Sequence, residues 1–170
     1  MRHAYFGGGP GVLAFALVWF SARLVALNYA ADASILTLFI GGMFIHPAGL
    51  LIAKALRRPG AHSSVNPLGI LALEGTVLML LCLPLVYGVS RADLEWFSPA
   101  MLLVIGDRYR TFATVYGMRV YWAYGAVLAC AGLFLVILHA PFAVGAFTGA
   151  AIEFVFACLI FWIERKQRYD

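Results

Sequence analysis

The chain has 170 residues, of which 64% are apolar and 12% charged, and its mean hydropathy is +0.91. A soluble domain covers its surface with about a quarter of charged residues, so this composition excludes an ordinary water-soluble fold and makes the lipid bilayer the first partner. The net charge of +4 comes without a zinc-finger, helix-turn-helix or basic-repeat pattern, which excludes a nucleic-acid binder.

Glycine, proline and charge divide the chain into stretches that approach or exceed the ~20 residues a helix needs to cross a bilayer. The first, residues 11–30, follows Gly7-Gly8-Gly9-Pro10. Ala30, Ala31 and Ala33 resemble a leader cleavage site, but only Arg2 supplies a basic region and Arg23 interrupts the apolar core. A retained span is therefore expected. The second stretch, 34–56, holds Gly41-Gly42 and His46-Pro47. Pro47 removes a helical hydrogen bond and frees the Met43 carbonyl, so a kink or break is expected near mid-membrane. His46 beside it is a candidate solute- or proton-binding group, the plainer alternative being a proline kink with a hydrogen-bonded histidine.

A polar turn at 57–66 leads to the third stretch, 67–89, which carries Glu74. The fourth, 96–117, contains Val104-Ile-Gly-Asp-Arg-Tyr-Arg-Thr-Phe112, with Asp107, Arg108 and Arg110 in the middle of an apolar run. The fifth and sixth, 119–139 and 141–163, follow after short turns that imply tight antiparallel pairs, and the sixth holds Glu153. A competing division makes 99–106 re-entrant and 111–139 one long helix. Cys82, Cys130 and Cys158 lie in apolar stretches without paired spacing, which points to neither disulfide nor metal. No second histidine stands at ligand spacing, and no metal or other cofactor is expected.

Loop charge favours six spans. With the N-terminus in the cytoplasm, the inside Lys and Arg are Arg2, Lys54, Arg57, Arg58, Arg119, Arg165, Lys166 and Arg168, against Arg91 alone outside. That asymmetry satisfies the positive-inside rule, with both termini cytoplasmic and a basic tail at 164–170. The competing division would place that tail outside. The whole chain then forms a single transmembrane domain, 1–170.

The two halves resemble each other in order. Arg23-Leu-Val-Ala-Leu-Asn-Tyr29-Ala30 matches Arg110-Thr-Phe-Ala-Thr-Val-Tyr116-Gly117, an offset of 87 residues. Gly42 and Ala48-Gly49-Leu50 match Gly125 and Ala131-Gly132-Leu133 at 83, and Glu74 matches Glu153 at 79. A three-span unit repeated in this way, 11–89 and 96–163, must invert, as in many transporters. Convergent helix composition is the alternative.

Arg23, Arg108 and Arg110 against Glu74, Asp107 and Glu153 sum to zero within the spans. A charge exposed at mid-bilayer costs roughly 2.5–3.5 kcal/mol, so all six are expected to face inward and pair. Matched depth favours Arg110 with Glu74 and Arg23 with Glu153. Asp107 and Arg110, three apart, also reach each other, and Arg108 is left without an obvious partner. Gly145-Ala-Phe-Thr-Gly149 is a close-packing pattern, inside the fold or between copies of a homo-oligomer. Tyr116, Tyr121, Trp122 and Tyr124, with Trp96-Phe97, read as interfacial anchors, two of which could instead line a solute path.

Phe97-Ser-Pro-Ala-Met-Leu-Leu-Val-Ile-Gly106 with Arg108-Tyr109, Thr111-Phe112 and Tyr116-Gly117 resembles a family of uncharacterised bacterial integral membrane proteins. So do Gly9-Pro10-Gly11-Val12-Leu13, Gly41-Gly42-Met43-Phe44, and Asn66-Pro67-Leu68-Gly69 with Leu73-Glu74. The resemblance implies a bacterial inner membrane and no particular activity. It also implies glycine as the common residue at position 107 and an aliphatic one at 110, which points to Arg108 above an Arg110–Glu74 pair.

The expected protein is all-α, with six transmembrane helices in a 3+3 inverted repeat. Its expected function is small-solute transport, with Arg108, Glu74, Glu153, Arg23, Asp107, Arg110 and His46 as candidate binding residues. A non-transporting scaffold or accessory subunit, its charges only locking the fold, is the alternative. An enzyme acting on lipid is the weakest reading, because no nucleophile, metal triad or nucleotide loop is present.

Overall fold

A computed structural model describes residues 1–61 and 66–167. Among them are six α-helices and no strand: α1 (Gly9–Asn28), α2 (Ala31–Ala55), α3 (Pro67–Ala92), α4 (Phe97–Tyr116), α5 (Val120–Ile137) and α6 (Phe142–Lys166). Part of the α2–α3 turn and Arg168 of the basic tail lie outside the described residues. All helices except α4 are long and apolar enough to cross a membrane, and α4, at 20 residues, falls short only through its three charges. The chain is a helical, multi-pass membrane protein. Helices suit that solvent because they satisfy every backbone donor and acceptor internally.

Local chemistry sets the helix ends. Asn66 caps α3 by accepting from the Leu68 N–H at 3.0 Å, with Pro67 at the first position, where no donor is wanted. Gly117 ends α4 in the left-handed conformation at φ 64°, separating α4 from α5, so 111–139 is not one long helix. Pro47 lies inside α2, which runs unbroken from Ala31 to Ala55. The predicted break is absent, and His46 is exposed on the outer surface of that helix.

Packing follows two parallel schemes. α1 lies antiparallel to α2 and to α6, while α4 lies antiparallel to α5 and to α3. The hairpins close on glycine. A Cβ on Gly106 would stand 2.8 Å from the Gly125 carbonyl oxygen, and one on Gly49 would stand 3.1 Å from Gly11 Cα. Ser34 seals the first hairpin by donating to the Ala22 carbonyl at 2.7 Å. Gly149 receives the Trp19 ring of α1, and Gly145 abuts Ser98 of α4. Of the two alternatives for that close-packing pattern, the contacts of Gly145 and Gly149 lie inside the chain.

The N-terminal turn meets the last turns of α6 at one end of the bundle. Arg2 Nε donates to Glu164 Oε1 of α6 at 2.5 Å, and the Gly60 N–H donates to the Ala4 carbonyl at 2.9 Å. Buried Arg58 lies over the Phe6 ring at 4.8 Å. The core runs along the contact of α1, α4, α5 and α6, with Trp19, Leu102, Ile105, Tyr121, Tyr124 and Ile160 enclosed.

Candidate functional site

Successive residues of an α-helix point about 100° apart, so the Asp-Arg-Tyr-Arg run of α4 sends its side chains to different surroundings. Tyr109 turns into the core, Arg108 turns toward α3, and Asp107 and Arg110 turn outward.

At the core, Glu153 of α6 is completely enclosed. Its Oε2 accepts the Tyr109 hydroxyl at 2.8 Å and the Tyr124 hydroxyl of α5. Oε1 has no hydrogen-bond partner among the described residues. The rings that deliver these hydroxyls are stacked: Tyr109 on Tyr124 at 4.1 Å between centroids, and Tyr124 on Phe156 at 4.2 Å. Tyr121 extends the stack and donates to the Gly7 carbonyl at 2.6 Å. One carboxyl thus ties α4, α5 and α6 together, and the aromatic layer links them to the N-terminal turn.

Arg108 is half-buried beside a crevice of about 270 Å³ between α3 and α4, which Gly75, Leu78, Met79, Cys82, Leu103, Val104, Asp107 and Thr111 also line. Its guanidinium donates to Thr76 Oγ1 at 3.2 Å, approaches Met79 Sδ at 3.7 Å and lies 5.1 Å from the Phe112 ring centre. Nε is buried and has no hydrogen-bond partner among the described residues. All these neighbours are neutral. Among the described residues no carboxylate lies within ion-pair distance of Arg108. Asp107, on the crevice wall, is matched by Arg110 at 3.2 Å.

The structure therefore divides the seven predicted residues. Asp107, Arg108 and Arg110 share one stretch, and the Asp107–Arg110 pair forms as expected. The expected Arg23–Glu153 pair does not form. Gly149 on Trp19 fixes the α1–α6 register, which sets Arg23 about two turns from the level of Glu153 and leaves it half-buried, 6.0 Å from the Phe147 ring centre. The Arg110–Glu74 pair is likewise absent within the chain. Arg110 leans toward α5, 5.3 Å from the Trp122 ring centre, and Glu74 is exposed. Glu74 and His46 are thus separate from both the core carboxyl and the crevice.

Sequence reasoning missed the tyrosines. Tyr121, Tyr124 and Phe97 are buried and Tyr116 half-buried, so of the predicted anchors Trp96 and Trp122 keep an outward position. Spacing held the signal: Tyr109-Phe112-Tyr116 and Tyr121-Tyr124 recur at three and four residues, one face of a helix.

A family model described as "Family of unknown function (DUF7010)" matches residues 1–163, and the chain belongs to that family. Neither curated proteins nor solved structures give a match to the chain.

Proposed function

We propose that this DUF7010 member is a small-solute transporter or permease whose crevice at Arg108 takes an anionic group. The carrying observation is the guanidinium itself, set within the membrane-embedded bundle against a hydroxyl, a thioether and a ring, with no carboxylate in contact. Intramembrane charges of this kind mark solute pathways by default, and a guanidinium suits carboxylate and phosphate oxygens.

In this reading α4 crosses the bilayer with the other five helices, in a bacterial cytoplasmic membrane with both termini inside. The loop-charge asymmetry supports that orientation. The 3+3 inverted repeat draws support from the matching hairpins and from α1 and α4 each serving as the helix on which two others pack. Asp107, Arg110, Glu74, Glu153, Arg23 and His46 are secondary candidates, because none of them combines the crevice with an unmatched charge.

A second reading, a non-transporting scaffold or accessory subunit, is favoured by Glu153. Its enclosure and its two tyrosine donors suit a carboxyl that only fastens helices together. A thermal-stability screen of the purified chain against chloride, phosphate, sulfate and small carboxylates separates the two. An anion at 100 times its dissociation constant should stabilise the wild type by about 2.7 kcal/mol, and Arg108→Gln should abolish the shift. No shift with any anion in a folded wild type would favour the scaffold.

A further inference from the structure

The outer flank of α3 and α4 carries charge at a depth where a membrane has no counter-charge to offer. Glu74 is exposed, and among the described residues no cation lies within ion-pair distance of it. It is the eighth residue of a 26-residue helix, so it stands about 10 Å along α3, inside a hydrocarbon layer of ~30 Å.

Its direction around α3 follows from Leu78, which lines the crevice together with Leu103 and Asp107 of α4. Residues four apart share a helix face, so Glu74 projects on the Asp107 side of the α3–α4 pair. Arg110 joins the same flank through Asp107, and these two side chains are 55% and 56% exposed. Gly75 packs on Thr111, which sets Glu74 and Arg110 at one level. The flank therefore presents two carboxylates and one guanidinium at one depth. Arg110 uses one nitrogen on Asp107, and a guanidinium has donors for a second carboxylate.

Beyond α4, α3 has little packed against it, and only Gly75, Val86 and Ser90 along its length are buried. We propose that this flank is the interface with a second copy of the chain, in which Glu74 of each copy accepts from Arg110 of the other. A two-fold axis along the membrane normal makes both contacts at once, because the two residues already share a level and an isologous interface pairs each with its counterpart. Lipid tails supply no such donor. With Arg108 included, the charges on and behind the flank sum to zero in each copy. The interface stands whether or not the crevice takes an anion.

The test is the oligomeric state of the full chain in lipid vesicles, read by photobleaching steps of a single attached dye at low protein density. Wild type is expected to be dimeric. Glu74→Arg alone and Arg110→Glu alone each oppose like charges and should raise the dimer dissociation constant about tenfold or more. Mixed together, the two variants should form a heterodimer, since every 74–110 contact again joins opposite charges. A monomeric wild type, or single variants that dimerise as wild type does, would overturn the proposal. If a charge-reversed chain does not fold, Glu74→Gln and Arg110→Gln serve instead, with the same loss expected and an undiminished dimer counting against it.

Discussion

Glu153 is a single carboxyl with two tyrosine hydroxyls on one oxygen, and its chemistry is open to substitution. A glutamine at 153 keeps a carbonyl oxygen able to accept from both Tyr109 and Tyr124. Alanine leaves two buried hydroxyls without their acceptor and a void beside the aromatic stack. Thermal unfolding in detergent should therefore show Glu153→Gln within about 1 kcal/mol of wild type and Glu153→Ala lower by about 3 kcal/mol or more. Tyr124→Phe, which removes one donor and keeps the stacked ring, should cost about 0.6 kcal/mol, typical of an interhelical hydrogen bond in a membrane protein. An intact Glu153→Ala protein would mean that the carboxyl fastens nothing. The charge at 153 was legible in the sequence as an intramembrane acid. Its partner Tyr124 was not, because a tyrosine near the end of an apolar stretch suits a membrane interface and a buried hydroxyl equally well.

At the scale of the helices, the predicted stretches fall within a few residues of the observed ones, since Pro67, Gly117 and Pro141 punctuate them chemically. Relative register was not legible. It depends on which glycine receives which neighbour, and an apolar sequence offers many similar choices. Register explains the failed Arg23–Glu153 pair, because the seating of Trp19 on Gly149 shifts Arg23 along α1, whereas Arg110 shares a level with Glu74 and is turned away from it toward α5. The glycines do not matter equally. Gly125→Ala forces the α4–α5 hairpin apart, because its Cβ meets backbone, and should lower thermal stability by about 1–3 kcal/mol. Gly42→Ala meets nothing within 4 Å and should stabilise α2 by up to about 1 kcal/mol through helix propensity alone. Equal effects at both positions would contradict the packing described for the second hairpin.

Across the whole molecule, composition was enough to identify a helical membrane protein, and the zero sum of the six in-span charges was equally plain. Their distribution was not. The six were expected to face inward, yet the structure encloses Glu153, half-buries Arg23 and Arg108, and leaves Glu74, Asp107 and Arg110 exposed. Neutrality constrains the total, whereas helix azimuth decides who meets whom, and three charges in four residues of one helix must diverge. Arg108 is thereby left beside a crevice with only neutral contacts, and the functional reading turns on whether water and anions reach it. Native Cys82 lines the same crevice, so its reactivity reports on that directly. In a Cys130→Ser/Cys158→Ser background in native membranes, a membrane-impermeant anionic thiosulfonate should label Cys82 faster than a cationic reagent of the same size. Arg108→Gln should erase that preference. Failure of both reagents to reach Cys82 in the folded protein, with full labelling after denaturation, would show a dry crevice and contradict the account.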